Sequence, residues 1–185
     1  MVKELEIDTT RLKKLVDQTL SASQVSGKSL RLAHYNLGIE LSRLISQHEL
    51  KEKSELNVLV KMRSGLCLGL GIADGLEHIG HIVHLVFEID QILKMNHNKK
   101  IKTIIVDGVI NTGNTILKDI RLLNGYDIIV ATNVISKRSI DLFESNVVYA
   151  TRISEHFYVG SNVKTIDNNK GPDTSERLFN NDFFN

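Results

Sequence analysis

The residues best suited to chemistry stand together in the stretch KTIIVDGVINTGNTILKDI, which spans residues 102–120 of this 185-residue chain. It begins as a nearly continuously apolar strand and ends with the apolar spacing of an amphipathic helix. Between them lie the carboxylate of Asp107 and a turn that contains Gly113 and the hydroxyls of Thr112 and Thr115. Such a turn directs main-chain N–H groups and the positive end of a helix toward one point, which suits a phosphate monoester. Asp107 repels phosphate but accepts hydrogen bonds from ribose hydroxyls, so the pattern predicts a ligand with a sugar and a phosphate.

The same turn also fits a second interpretation, because an Asn or Thr before a helix is a common structural cap. Its position in the fold therefore matters. Helical spacing and β-rich runs alternate along the chain, and this alternation predicts an α/β fold with a mainly parallel sheet. In such sheets the loops after the strands meet at one edge, where ligands bind. The predicted helices are 9–20, 29–47, 66–78, 115–125 and 136–145, and the predicted strands are 55–62, 81–89, 101–108, 126–135 and 146–153.

The composition is ordinary for a soluble globular protein and is most simply that of one domain. With 23 basic and 22 acidic residues, the charge gives no reason to expect nucleic acid or a membrane as a partner. Cys67 is the only cysteine, which excludes an internal disulfide and favours a reducing, cytoplasmic location. The charged start MVKELEIDTTRLKKLV does not have the pattern of a signal peptide, and no apolar run is long enough to span a bilayer.

Two other patterns carry weaker functional interpretations. The run GLGIADG (69–75) has the glycine spacing of a dinucleotide-binding turn, but apart from Glu88 no acidic residue ends the next strand. Its glycines also fit a closely packed helix or a frayed first turn. The spacing of His78, His81 and His84 raises the alternative of a metal cluster. His81 and His84 point to opposite faces of a strand, so ordinary surface or core histidines are expected instead. Cys67 is expected to be a small packed residue.

The stretch DGVINTGNT (107–115) resembles the signature that binds phosphoribosyl diphosphate (PRPP) in the type I phosphoribosyltransferases. It is most similar to the uracil phosphoribosyltransferase variant, in which an acid and a non-acid precede Thr-Gly-x-Ser/Thr. Many members of the family carry two adjacent acids, whereas the uracil enzymes and this chain, with Asp107 and Gly108, carry one. The spacing from Asp107 to Thr115 matches without a gap.

Three further segments resemble the same family. VKMRSGLCLG (60–69) is similar to the diphosphate-binding loop, and its matching positions are Arg63, Ser64 and Gly65. GPDTSERLFN (171–180) is similar to a late segment of the uracil enzymes and places Asp173, Arg177 and Phe179 on the family's Asp, Arg and Phe. SLRLAHYNLGIEL (29–41) is similar to an amino-terminal helix, with Arg31 on the family's Arg.

The resemblance implies a single phosphoribosyltransferase-like domain over residues 1–185. Its mainly parallel sheet, flanked by helices, would form a core of about 55–152, and residues 1–54 and 153–185 would form a small hood. The implied reaction is PRPP-dependent transfer to a nucleobase, uracil by resemblance, which gives a nucleoside monophosphate and diphosphate in pyrimidine salvage. Implied partners are PRPP and the base. A homodimer or higher homo-oligomer is also expected. The aromatic residues Phe179, Phe183 and Phe184 favour packing against another surface, of which a second subunit is one candidate.

The resemblance also implies roles for individual residues. The catalytic set would be Arg63, Asp107 and Asp173, with Asp107 on the ribose and Arg63 opposite the departing diphosphate together with Mg²⁺, which binds mainly through substrate oxygens and water. Asp173 would lie near the metal or the base. The PRPP-binding set would be Arg63, Ser64, Gly65, Asp107, Gly108, Asn111, Thr112, Gly113, Asn114 and Thr115, and the base-binding set Gly171, Pro172 and Asp173.

Some positions depart from the family's pattern. The flexible loop is replaced by the short segment 90–100, where Lys94, Lys99 or Lys100 would take the part of its basic residues. IDNNKGP (166–172) stands in place of the uracil-reading segment, and Asn114 in place of a glycine. These departures keep a second hypothesis open, a non-catalytic regulator of the same fold that binds PRPP or a nucleotide. An unrelated α/β nucleotide-binding module is the third.

Overall fold

The computed structural model describes residues 1–95, 101–155 and 173–180. Within these residues, every neighbouring pair of strands in a six-stranded sheet runs parallel, in the order β1-β6-β5-β4-β2-β3. The strands are β1 (Val2–Glu4), β2 (Glu55–Val60), β3 (Ile82–Val86), β4 (Lys102–Ile110), β5 (Ile128–Ser136) and β6 (Val147–Ser154). The helices are α1 (Thr10–Thr19), α2 (Gly27–Glu49), α3 (Leu66–Ile79), α4 (Ile89–Met95), α5 (Asn114–Leu122), the 3₁₀ helix η1 (Lys137–Phe143) and α6 (Thr174–Phe179). The predicted α/β fold with a parallel sheet is confirmed.

Helices cover both faces of the sheet, so the central strands are apolar on both sides. Helices α1, α2 and α3 bury Leu41 and Ile72, among others, against one face. Helices α4, α5 and η1 bury Ile92, Ile116 and Phe143 against the other. No helix among the described residues is both long enough and apolar enough to cross a membrane.

Helices α2 and α3 approach each other closely through glycine. A Cβ atom at Gly71 would overlap the carbonyl oxygen of Tyr35 on α2, and one at Gly38 would overlap that of Leu68 on α3. Glycine in a helix lowers stability relative to alanine. Here the absence of a side chain allows the two backbones to touch. Of the two explanations for the glycines of α3, close packing is the one observed.

The sheet has a topological switch point between β2 and β4. These two strands are neighbours, but the chain leaves β2 toward α3 on one face and leaves β4 toward α5 on the other. Connections that diverge in this way open a crevice at the carboxyl ends of the two strands, where open α/β sheets bind ligands. The segments on either side of this crevice are residues 61–65 and residues 107–113.

Three described elements, β1, α4 and α6, were not among the predicted helices and strands, and several element ends differ. β1 was not predicted, and it joins the sheet through parallel pairing with β6, in which Lys3 lies opposite Tyr149. β4 does not end at residue 108 but continues to Ile110, because it keeps pairing with β5 up to Ile135. The amino-terminal segment thus contributes an edge strand to the sheet, while the division into core and hood stays a prediction.

Candidate functional site

The two crevice segments contact each other directly. Ser64, after β2, donates its hydroxyl hydrogen bond to Oδ1 of Asp107 on β4. The main-chain N–H of Lys61 donates to the carbonyl oxygen of Val106 at 2.8 Å, which extends the pairing of the two strands to the start of the loop. A Cβ atom at Gly108 would overlap the carbonyl oxygen of Ser64. Glycine at 108 therefore lets the loop lie against β4, and a second acidic residue there would push the loop away.

Asp107 is a half-buried carboxylate at this junction. Burial raises its pKa from the ordinary value, since desolvation disfavours the charged form. Four interactions oppose that rise: the hydrogen bond from Ser64, those from the main-chain N–H groups of Val109 and Gly108, and the positive charge of Lys61. Asp107 is thus an acceptor whose charge depends on its neighbours.

A cleft of about 150 Å³ begins at Asp107 and follows the turn into α5, lined by Asp107 and residues 109–116. Gly113 is the N-cap of α5, with φ of +72°, a left-handed conformation that favours glycine. Its carbonyl oxygen accepts from the N–H of Leu117 at 2.9 Å, so the helix begins here and the N–H groups of its first turn have no partner inside it. This is the geometry expected for binding an anion.

The turn is supported from behind by η1. The ring of Phe143 lies so close to Gly113 that an added Cβ would be 3.0 Å from it. Ser139 donates a hydrogen bond to the carbonyl oxygen of Asn111. Thr112 Oγ1 lies 3.5 Å from the N–H of Asn114, as in a turn that precedes a helix. The structure therefore brings together Asn111, Thr112, Gly113, Asn114 and Thr115 around one cleft.

An ion pair not predicted from the sequence lies beside the cleft. Lys61 Nζ is 2.6 Å from Oδ2 of Asp119 on α5, and the exposed fractions of the two side chains are 22% and 8%. The sequence signal for this pair was a lysine near the end of the predicted strand 55–62, and that signal names no partner.

Arg63 is exposed at the tip of the loop that Ser64 and Gly65 complete. The peptide bond between Met62 and Arg63 is cis. The carbonyl oxygen of Arg63 accepts from the N–H of Leu66 at 3.2 Å, where α3 begins. Arg63 is thus an exposed residue in the segment beside the crevice.

Helix α6 is fixed to the amino-terminal part of the chain by residues that the sequence matched to the family. Asp173 caps α6 through Oδ1, which accepts from Ser175 N at 2.7 Å and Glu176 N at 3.2 Å. Arg177 donates to three main-chain carbonyls in residues 18–25, and Arg31 donates to the carbonyl of Leu178 at 2.7 Å. Arg177 and Arg31 therefore make structural contacts. Gly171, Pro172, Lys99 and Lys100 lie outside the described residues.

Cys67 and two of the histidines singled out by their spacing have ordinary surroundings, and a further histidine, His34, is buried. Cys67 packs with Leu30 and Leu178 as expected, and burial raises the pKa of its thiol. His81 lies between Ser46 and Ser54, and His84 pairs with Glu55. His34 on α2 is fully buried, and desolvation, helped by the charges of Arg177 and Arg152, lowers its pKa to about 4.

The cleft has one lining carboxylate, which fits an Mg²⁺ ion only if a phosphate ligand supplies most of its oxygen ligands. Among the described residues no group of three His, Cys, Asp or Glu side chains could hold a metal ion. Mg²⁺ bound to phosphates needs only one or two carboxylates, because substrate oxygens and water fill the remaining positions. Asp107 supplies one carboxylate at the cleft.

Solved structures share this fold at low sequence identity. Adenine phosphoribosyltransferase from Trypanosoma brucei, in complex with AMP, pyrophosphate and ribose-5-phosphate, has a TM-score of 0.53 and 15% identity over 83% of this chain and 84% of that one. Hypoxanthine-guanine phosphoribosyltransferase from Schistosoma mansoni, in complex with IMP, has a TM-score of 0.50 and 20% identity over 70% and 69%. A Thermus thermophilus protein has a TM-score of 0.50 and 13% identity over 68% and 86%. No protein-family model matches the chain, and no curated protein matches it in sequence. The similarity shows a phosphoribosyltransferase fold.

Proposed function

We propose that the chain is a PRPP-dependent phosphoribosyltransferase that acts on a nucleobase. The observation that carries this proposal is the position of Asp107, which lies at the mouth of a cleft formed by the first turn of α5 and is held by the loop after β2. A carboxylate next to an anion-binding helix end matches a ligand with ribose hydroxyls and a 5′-phosphate. The phosphoribosyltransferase fold supports the proposal.

In this proposal, different residues of the cleft bind different parts of the ligand. The main-chain N–H groups around Gly113, with the hydroxyls of Thr112 and Thr115, bind the 5′-phosphate. Asp107 accepts hydrogen bonds from the ribose hydroxyls and thereby fixes the orientation of C1′. Arg63, exposed at the crevice edge, extends over the diphosphate. The cleft of about 150 Å³ matches the phosphate end of PRPP and is smaller than a complete ligand pocket, so other segments complete the site.

The reaction itself needs little covalent chemistry from the protein. The bond between C1′ and the diphosphate oxygen breaks with its electron pair on the diphosphate. The base nitrogen forms the new bond to C1′ with its lone pair and releases its N–H proton to water. Positioning and charge stabilisation carry the rate. Mg²⁺, when bound with PRPP, neutralises part of the diphosphate charge.

The acceptor base and the assembly belong to this proposal as well. Uracil is the acceptor suggested by resemblance, with Gly171, Pro172 and Asp173 as base-binding residues and Asp173 near the metal. We also propose a homodimer or higher oligomer and a cytoplasmic location. Both capping bonds of Asp173 go to Oδ1, so contact with a base or metal would go through Oδ2.

A second candidate is a regulator that binds PRPP or a nucleotide without transferring a base. The specific observation in its favour is that Arg177, one of the residues matched to the family's late segment, donates to main-chain carbonyls of residues 18–25. This side chain holds the fold together instead of meeting a ligand. A regulator needs the sugar and phosphate contacts but not those to a base.

Calorimetry with PRPP and Mg²⁺, and with ribose 5-phosphate alone, tests the shared premise. Asp107→Asn keeps the shape of the side chain and removes its charge. A hydrogen bond to a charged group contributes about 1.5–3 kcal/mol, so we expect roughly tenfold to hundredfold weaker binding. Asp8→Asn changes an exposed carboxylate ahead of α1 and should leave the affinity unchanged. Failure of the wild-type protein to bind either ligand would refute the transferase and a regulator that binds PRPP.

Transfer assays then separate the enzyme from the regulator. Diphosphate release is measured with uracil, hypoxanthine, guanine and adenine in turn. Turnover of one base, lost in Asp107→Asn, supports the transferase and identifies its acceptor. Binding of PRPP without turnover of any base supports the regulator.

A further inference from the structure

The peptide bond between Asn111 and Thr112 is held from the side of η1. β4 and β5 are neighbouring strands, so the turn after β4 and η1 after β5 leave the sheet side by side. Ser139 on η1 is 1% exposed, and its hydroxyl donates a hydrogen bond to the carbonyl oxygen of Asn111. The residues that line the cleft all lie within 107–116, and η1 contributes none of them. The carbonyl of Asn111 therefore points away from the cleft.

Peptide geometry then fixes the direction of the next N–H group. This peptide is trans and planar, so the N–H of Thr112 points opposite to the carbonyl of Asn111. The N–H is therefore directed toward the cleft, just ahead of the N–H groups in the first turn of α5. Within the described residues it donates no hydrogen bond, so it is available to a phosphate oxygen.

The reverse orientation of this peptide is disfavoured by the same hydroxyl. It would place a carbonyl oxygen at the cleft, where that oxygen would repel a phosphate. It would also turn the N–H toward Ser139, whose oxygen could accept it but whose own proton would lose the Asn111 oxygen as its acceptor. A buried donor without a partner is costly, so the observed orientation is the favourable one.

η1 also contacts the turn at a second point, through packing. Phe143 is fully buried, and a Cβ at Gly113 would lie 3.0 Å from its ring. Packing of this kind fixes where the turn lies but does not depend on which way a peptide plane faces. A hydrogen bond is directional, so Ser139 is the η1 residue that can set the orientation of the peptide.

We propose that Ser139 is a positioning residue for the phosphate site, and that its hydroxyl holds the peptide between Asn111 and Thr112 with the N–H toward the cleft. This inference rests on the proposed function and deepens it, because it gives the phosphate a donor whose direction is set from outside the cleft. The resemblance to known phosphoribosyltransferases assigns no role to Ser139. A purely structural hydroxyl would stabilise the fold without setting the direction of this N–H.

The decisive comparison is between Ser139→Ala and Ser136→Ala. Ser136 is 2% exposed, and its hydroxyl has no hydrogen-bond partner among the described residues, so its removal is the matched control. Residual dipolar couplings of the Thr112 N–H measure its direction in the unliganded protein. We expect one fixed direction, toward the cleft, in the wild type and in Ser136→Ala, and a different or averaged coupling in Ser139→Ala. An unchanged coupling in Ser139→Ala would overturn the proposal, as would a wild-type N–H that points away from the cleft.

Calorimetry with ribose 5-phosphate supplies the second readout, under conditions where urea denaturation shows both variants to be folded. We expect about tenfold weaker binding in Ser139→Ala, because one directed hydrogen bond to an anion is lost, and wild-type affinity in Ser136→Ala. Equal affinities of the two variants would contradict the positioning role, whether both match the wild type or both are weaker. If the wild-type protein binds no ribose 5-phosphate, the phosphate-site role falls with the proposed function, whereas the couplings still decide whether Ser139 directs the peptide.

Discussion

Gly113→Ala tests whether the turn around the cleft depends on both the backbone and the packing of glycine. Gly113 has a φ of +72°, and a residue with a Cβ costs about 1–2 kcal/mol in the left-handed region. The new Cβ would also lie 3.0 Å from Cε2 and 3.1 Å from Cζ of Phe143, which is fully buried and cannot move freely. Overpacking of this kind costs about 1–3 kcal/mol more. We expect a total loss of about 2–5 kcal/mol in the free energy of unfolding, measured by urea denaturation.

Gly80→Ala is the matched control. Gly80 also has a positive φ, +105°, but a Cβ there would have no atom within 4 Å. Its cost should be the backbone contribution of about 1–2 kcal/mol alone. The difference between the two variants then measures the contact with the Phe143 ring. Equal losses would show that this contact is relieved by a small shift of the loop, and the packing argument would be refuted.

A double-mutant cycle with Phe143→Leu checks the same contact independently. Phe143→Leu is destabilising by itself because it removes buried apolar atoms. In that background the cost of Gly113→Ala should fall toward that of Gly80→Ala, since the ring no longer opposes the new methyl group. Ribose 5-phosphate binding, measured where all variants are folded, should weaken about tenfold or more in Gly113→Ala, because N–H groups that donate to phosphate are displaced. It should not change in Gly80→Ala.

Two further predictions concern the contacts that hold the fold around the site. Arg177→Met removes the donor to three main-chain carbonyls, and we expect a loss of about 2–4 kcal/mol in urea denaturation. Arg43→Met, which breaks an exposed pair with Glu40, should cost at most about 1 kcal/mol, and equal costs would contradict the structural role of Arg177. His34 has a folded-state pKa of about 4, below the ordinary 6.5, so the unfolded chain takes up a proton first as pH falls. Stability should therefore decrease by about 3 kcal/mol between pH 6.5 and pH 4, and His34→Leu should remove that decrease from urea denaturation at a series of pH values.

Much of the fold was predictable because its signals are local. The apolar run before Asp107, the turn, and the helical spacing after Thr115 lie within one short stretch, and the structure confirms strand, turn and helix there. Element ends were less predictable, as the continuation of β4 to Ile110 shows. β1 was missed because three residues of mixed character carry no strand signal, and pairing with β6 makes them a strand.

The chemical groups of the candidate site were predictable from the sequence, but the contacts that hold them in place were not. Asp107 and the turn around Gly113 could be chosen from residue types, since a carboxylate, hydroxyls and glycine before a helix suggest a sugar phosphate by themselves. Two contacts could not be predicted: the hydrogen bond from Ser64 and the ion pair of Lys61 with Asp119. Each joins residues that are distant in sequence. The packing of Gly108 against the carbonyl oxygen of Ser64 was unpredictable for the same reason.

The sequence by itself determined which groups are available to a ligand and the order of the strands and helices that carry them, because hydrophobic periodicity and turn residues act over a few neighbouring positions. Only the tertiary structure decided that β2 and β4 lie side by side with their connections on opposite faces. That arrangement brings Lys61 and Ser64 to Asp107 and so sets the balance between burial and charge at this carboxylate. Burial and charge at one atom depend on everything within a few ångströms of it, and folding alone determines which residues those are.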